Sequence, residues 1–162
     1  MLSLFDECAS GLRRYVGSFG LGAAATEDVL QDVFLSLFHH LRLGRPRGNL
    51  KGWLFQVAHN LALKHRQKTM RRQQTEGNWD VALAERAIDP AANPEQRLAE
   101  LQRRRRLHSV LRAIPERDRQ CLSLRAEGLC YRDIAKTLGI SLGSVAKSLT
   151  RAITRLTNAD MR

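Results

Sequence analysis

The spacing of apolar residues decides the fold class of this chain. Leu30, Phe34, Leu37 and Leu41 recur at intervals of four, three and four, and Val145, Leu149, Ala152 and Leu156 repeat that rhythm near the other end. Such a period closes into a single stripe only on an α-helix. No stretch alternates apolar and polar residues over a useful strand length, so an all-α fold is expected. With 43% hydrophobic but only 6% aromatic residues, the helices must bury a mainly aliphatic core.

Charge divides the 162 residues into three parts. Residues 1–72 carry 11 basic and 5 acidic side chains, residues 73–100 carry 2 and 6, and residues 101–162 carry 14 and 5. Two basic lobes thus flank an acidic connector. The net charge of +11 points to a polyanion as partner, most simply nucleic acid, although an anionic membrane surface or solubility charge gives the same total. The expected division is a first small helical domain at 1–72, a linker at 73–94 and a second small helical domain at 95–162. Within the linker, Asp89-Pro90 and Asn93-Pro94 break helices, and a short helical turn is expected around Val81 to Ala87. Extended, those ~22 residues at ~3.3 Å each reach ~70 Å, enough to hold two modules at separate sites. Lobes this small are expected to be marginal alone and to depend on a partner.

Neither cofactor nor metal is expected. Cys8, Cys121 and Cys130 are odd in number and lack C-x-x-C spacing, and the five histidines form no metal triad. Asp28 and Asp32 are the only close carboxylate pair on one helix face, with no third ligand nearby, so the chain does not read as an enzyme. No apolar run approaches the ~20 residues of a membrane span, and no signal-peptide pattern opens the chain. A cytoplasmic protein without membrane insertion is expected.

In the first lobe, Thr26 is placed to cap a helix whose buried stripe is Leu30, Phe34, Leu37 and Leu41, with Asp28, Asp32, Leu35 and His39 opposite. A leucine among acids is either a docking surface for a basic partner or simply an exposed side chain. After a Gly, Pro and Arg rich connector from Gly44 to Gly48, a helix from about Leu50 to Arg71 buries Leu50, Leu54, Val57, Ala58 and Leu61. Its other face carries Gln56, Asn60, Lys64 and Lys68, amide and ammonium donors suited to phosphates and base edges or to plain solvation. Trp53 and Phe55 either support a stacked base or belong to the core.

The second lobe reads as a helix-turn-helix. A helix from about Glu95 to Ile114 contains Arg103 to Arg106, Pro115 opens the next, and Gly128 stops it. Tyr131 to Leu138 follows, then Gly139-Ile140-Ser141, then a last helix from Leu142 to about Leu156. Gly139 suits the turn and Ser141 the cap of the last helix. With Val145, Leu149, Ala152 and Leu156 inward, Ser144, Lys147, Ser148, Arg151 and Arg155 are expected outward, a polar start for base edges and a basic continuation for phosphates. A helical hairpin with a solvated basic face has the same pattern.

At this point nearly the whole chain outside the connector resembles a known family, the extracytoplasmic-function (ECF) sigma factors of bacterial RNA polymerase. Thr26-Glu27-Asp28-Val29-Leu30-Gln31-Asp32-Val33-Phe34-Leu35 is similar to the family's AEDLVQEVFL, and Gly52-Trp53-Leu54-Phe55-Gln56-Val57-Ala58-His59-Asn60-Leu61-Ala62 to its WLYRIARNLA. Ile114-Pro115-Glu116-Arg117, Ile134-Ala135 and Gly139-Ile140-Ser141-Leu142-Gly143-Ser144-Val145 are similar to its LPxRxR, YEEIA and GISxGTV. The three segments occur in the family's order. Where the family usually reads GTVKSRLHRAR, the Lys and Arg positions are Ala146 and Ser148, and a lysine stands at Lys147. Cys130 replaces the usual Ser or Thr before Tyr131, which weakens a cap there.

The resemblance implies a role for each face. Asp28, Gln31, Asp32 and Leu35 would dock on the clamp helices of the largest subunit of core RNA polymerase, whose flap region is a further expected contact. Arg45, Lys51, Trp53, Gln56, Asn60 and Lys64 would meet the non-template strand of the -10 promoter element and melt it. Arg132, Ser141, Ser144, Lys147, Ser148, Arg151 and Arg155 would read the -35 element in the major groove. The connector would thread toward the polymerase active-site and RNA-exit channel, and an anti-sigma factor is a further possible partner. The alternative is a free-standing helix-turn-helix regulator, which leaves the Trp53 helix and the acidic connector without a role and normally needs a dimerisation surface.

Overall fold

A computed structural model describes residues 2–46, 48–76 and 94–160. They form α1 (Leu2–Gly17), α2 (Ala23–Arg42), α3 (Leu50–Glu76), α4 (Pro94–Ala113), α5 (Glu116–Ala126), α6 (Tyr131–Leu138) and α7 (Leu142–Asp160). No strand occurs among the described residues. The linker turn expected at Val81 to Ala87 lies outside them.

Helix α1 was not anticipated, although Cys8, Leu12, Tyr15, Val16 and Phe19 repeat at helical spacing and are all buried. They meet Val29, Leu30, Val33 and Leu37 of α2 and Leu54, Phe55, Ala58 and Ala62 of α3. Two expectations for α2 are corrected. The helix begins a turn before Thr26, with Gly22 as its N-cap, because Ala23, Ala24 and Ala25 are strong helix formers; Thr26 is buried inside it. The buried stripe runs through Val29 and Val33 rather than Phe34, which is 39% exposed, because α1 packs against the valine side.

The second lobe has the expected helix-turn-helix. Gly139 adopts φ 64°, ψ 36°, the left-handed conformation that lets α6 stop and α7 leave at an angle. Ser141 caps α7: its Oγ accepts from the Ser144 amide at 3.2 Å. Cys130 makes no side-chain cap to the α6 amides; its thiol donates to Asp133 Oδ2 at 3.0 Å.

The two lobes do not stand apart. Cys121, Leu124, Leu129 and Ile134 of the second lobe belong to the same buried cluster as the first-lobe core. Polar contacts tie the seam. Arg14 donates three hydrogen bonds to Glu127, whose carboxylate lies against Gly11 where any side chain would collide with it. Asn49 donates to Asp133 at 2.6 Å, and Arg66 pairs with Glu116. Helix α3 also continues to Glu76, past the residue 72 at which the first domain was expected to end.

Candidate functional site

Three surfaces carry the residues singled out above. On α2, Asp28, Gln31, Asp32 and Leu35 follow the spacing i, i+3, i+4, i+7 and are all exposed, Leu35 by 53%. Beside them an open apolar groove between α1 and α2 is lined by Leu30, Phe34 and Leu35 together with Gln31. Phe38 continues the apolar strip. Charged groups border it: Glu27 is held by Arg13 at 2.9 Å, and Asp32 lies 4.0 Å from His65. The exposed leucine is therefore one part of a larger apolar patch.

The second surface lies at the loop before α3 and along that helix. Asn49 adopts φ 52° and caps α3, its Oδ1 accepting from the Gly52 amide at 3.2 Å. Arg45 and Lys51 are exposed, and Asn60 and Lys64 project from the helix in one row with the half-buried Gln56. Lys51 turns its Nζ toward the α5–α6 turn, within 3.5 Å of the position a side chain at Gly128 would take. The two aromatics left open by the sequence separate here. Phe55 is fully buried, whereas Trp53 is half-buried with its ring 4.4 Å from that of His40.

Behind this surface sits a pair that sequence reading missed. Tyr15 Oη and His59 Nδ1 are 2.8 Å apart in the core, with Phe19 edge-on to the imidazole. Burial, helped by nearby Arg66, pushes His59 below its ordinary value, and burial pushes the Tyr15 phenol up. His59 stands where the family pattern has an arginine. It is a neutral packing residue next to Asn60.

On the third surface, Arg132, Lys147, Arg151 and Arg155 are exposed, and Ser141 and Ser144 share a 2.9 Å hydrogen bond at the start of α7. The expected outward face of α7 needs correction at Ser148, which is 1% exposed. It lies three residues after Val145 and four before Ala152, on the buried stripe itself, and is small enough to pack beside Cys121. Two arginines are also committed within the protein. Arg151 binds Asp118 through two hydrogen bonds, and Arg155 donates to the Ala113 carbonyl at 2.9 Å, fastening α7 to the end of α4. Asp118 was missed because an acid in the basic second lobe reads as a surface residue until its burial is known.

Among the described residues no group of three or more His, Cys, Asp or Glu side chains is placed to hold a metal. No described helix is long and apolar enough to cross a membrane.

Comparison with known proteins identifies the family. The family described as "Sigma-70 region 2" matches residues 4–72, and "Sigma-70, region 4" matches residues 104–156. The probable RNA polymerase sigma factor RfaY of Xanthomonas campestris is 30% identical over 130 residues, covering 80% of this chain and 32% of RfaY. The ECF RNA polymerase sigma factor SigE of Mycolicibacterium smegmatis is 32% identical over 128 residues, covering 77% of this chain and 48% of SigE. The chain thus spans about a third to a half of the length of these two relatives. In fold it is similar to the sigma factor RpoE of Bartonella quintana, solved with the anti-sigma factor NepR, with a TM-score of 0.71 at 21% identity over 98% of this chain and 97% of that one. With both conserved regions of the family present in order and accounting for most of its length, the chain belongs to the sigma-70 family of RNA polymerase sigma factors, as a member of the ECF type.

Proposed function

We propose that this protein is a dissociable promoter-specificity subunit, which binds core RNA polymerase, recognises a -10 and a -35 element and melts the DNA at the first. It acts in the cytoplasm and has no turnover of its own. The observation that carries the reading is the presence of both sigma-70 regions in one chain, each bearing its own exposed face. Helix α2 offers polymerase an acidic and apolar surface of Asp28, Gln31, Asp32 and Leu35, which suits the clamp helices of the largest subunit. Arg45, Lys51, Gln56, Asn60 and Lys64 serve the -10 non-template strand, and Trp53 supports them from behind. Arg132, Ser141, Ser144 and Lys147 serve the -35 duplex, near the flap region. Residues 1–72, 73–94 and 95–162 divide the work as docking and melting domain, linker and -35 domain. A free-standing regulator leaves the open α2 face without a role.

The docked arrangement of the lobes is a resting form in this reading. Elements centred about 25 base pairs apart stand roughly 85 Å apart on B-DNA at ~3.4 Å per pair. A compact fold of this length has a radius of gyration of about 15 Å and does not reach both. Engagement of a promoter therefore requires the seam at Arg14–Glu127 and Asn49–Asp133 to open. An anti-sigma factor that holds the lobes together is a fitting partner; RpoE, which is similar in fold, was solved in complex with the anti-sigma factor NepR.

The test is run-off transcription with purified core polymerase over a pool of promoter fragments. Discrete transcripts that require the protein, sharing two spaced elements upstream, are the expected result. No transcripts and no comigration with core polymerase on a sizing column would overturn the reading.

A further inference from the structure

The acids of the second lobe are not scattered over it. Residues 101–162 carry 14 basic side chains and five acidic ones, Glu116, Asp118, Glu127, Asp133 and Asp160. Asp118 is held by Arg151 within the lobe. Glu116, Glu127 and Asp133 instead reach across to donors of the first lobe, Arg66, Arg14 and Asn49. Three carboxylates of a basic lobe thus lie against the first lobe as a short row of negative charge.

The place taken by Glu127 is the most closely shaped of the three. Arg14 grips its carboxylate in a fork, from Nε at 3.0 Å and from Nη2 at 2.8 and 3.0 Å. Gly11 forms the floor, with no side chain to keep the anion away, and the Lys51 ammonium lies beside the same turn, at Gly128. The Glu127 side chain is only 18% exposed there. The first lobe therefore holds a recessed seat for an anion, and a guanidinium fork fits a phosphate as well as a carboxylate.

These donors trace a line. Lys51 and Arg66 stand about 15 positions apart on α3, which is ~22 Å at ~1.5 Å per residue. One DNA strand covers that length with about six nucleotides at ~3.4 Å each. At ~100° per residue Arg66 stands ~120° round α3 from Asn60, so the line leaves the Gln56, Asn60 and Lys64 row and meets that surface only at Lys51. Anions repeated over such a length belong to a nucleic-acid backbone rather than to a single acidic side chain.

We propose that Arg14, Lys51 and Arg66 form a phosphate-binding strip for a DNA strand, covered in the docked form by Glu127 and Glu116 in place of phosphates. This rests on the reading of the docked form as a resting one. Opening the seam uncovers the strip, and a strand bound there holds the seam open, because DNA and the second lobe compete for the same donors. Glu127 is the cover and Arg14 the ligand, so removing either breaks one ion pair with opposite consequences for DNA.

The full chain without polymerase is titrated, by fluorescence anisotropy at several salt concentrations, with a mixed-sequence single-stranded DNA of about 12 nucleotides. Wild type is compared with Glu127→Ala and Arg14→Ala, with helicity checked by circular dichroism; Glu127→Gln, which keeps the side-chain shape, replaces the alanine variant should that lose helicity. Glu127→Ala is expected to bind roughly tenfold more tightly, as the binding-competent fraction rises. Arg14→Ala is expected to gain nothing over wild type, with a salt slope smaller than that of Glu127→Ala by about 0.7, one single-strand phosphate. Equal affinity and slope in the two variants would overturn the strip, since the pair would then be only a clasp. Preference of Glu127→Ala for poly-glutamate over DNA would overturn it too, by assigning the seat to an acidic protein. Small-angle X-ray scattering separates the two ways of failing: expansion of both variants with equal affinity overturns the strip alone, whereas no expansion in either overturns the resting-form reading and the strip with it.

Discussion

Arg151 donates from Nε at 2.9 Å and from Nη2 at 2.7 Å to the two carboxylate oxygens of Asp118, a side chain only 1% exposed. The arginine that sequence reading assigned to DNA phosphate is thus also the partner of a buried charge. Its hydrogen bonds, with that of Ser148, hold the Asp118 carboxyl below its ordinary value against the opposing effect of burial. Helix α7 is thereby fastened to α5 beneath the proposed recognition face.

Replacing Arg151 by alanine strands that carboxylate, so Arg151→Ala is expected to lower the melting temperature by roughly 5 °C. The sign with pH follows from the depressed value. The pair's contribution is present above the unfolded carboxyl value near pH ~3.9 and is lost as pH falls through the folded one, so wild type and variant should converge in acid. Thermal melts between pH 7 and pH 3 check this. Lys147→Ala serves as the contrast: unchanged melting, with the salt-dependence slope of -35 duplex binding by holoenzyme smaller by about 0.9 for the one phosphate contact removed.

The seam between lobes offers a second test. Glu127 accepts three hydrogen bonds from Arg14, and Glu127→Arg converts that attraction into repulsion beside Gly11. The radius of gyration measured by small-angle X-ray scattering is expected to rise while helicity is retained. Run-off transcription at limiting core polymerase should increase or stay level. A fall in transcription with intact folding would show that the docked form is the working one.

The buried pair of Tyr15 and His59 makes stability depend on pH in the same direction, but in a higher pH range. The neutral imidazole is favoured in the fold, because burial holds its proton affinity below the ordinary value. The unfolded chain therefore takes up a proton first as pH drops. Stability is complete above about pH 6.5 and declines below it toward the folded value. His59→Phe is expected to flatten that decline. Tyr15→Phe leaves Nδ1 without its 2.8 Å partner and should cost about 1–3 kcal/mol at pH 7.5 in urea unfolding.

For the proposed polymerase-docking face, Asp32→Arg reverses one charge on an exposed position of α2, and Leu35→Asp removes an exposed apolar side chain. Each is expected to weaken core binding by at least about tenfold, the equivalent of ~1.4 kcal/mol, with melting unchanged within about 2 °C. Fluorescence titration against core polymerase checks both. Unaltered affinity in the pair would remove this face from the interface.

What the sequence determined by itself was local. Helical period, the turn at Gly139, the Ser141 cap and the order of the family's segments depend on residues within a few turns of one another, and the structure has them as expected. Of the α2 docking candidates, Asp28, Asp32 and Leu35 were legible in that period and Gln31 only in the family's segment; all four are exposed. Three matters waited for the tertiary fold. Ser148 has the spacing of the α7 stripe but the polarity of a surface residue, and its burial beside Cys121 became evident only with the packing of α5. Arg151 and Arg155 read as free phosphate ligands until Asp118 and the Ala113 carbonyl were brought against them from 33 and 42 residues away. The docking of the lobes through Asn49 and Asp133, 84 residues apart, has no signature in either segment. Periodicity reports which side of a helix is apolar; which neighbour covers that side, and which charge meets which, depends on contacts between distant parts of the chain that only folding brings together.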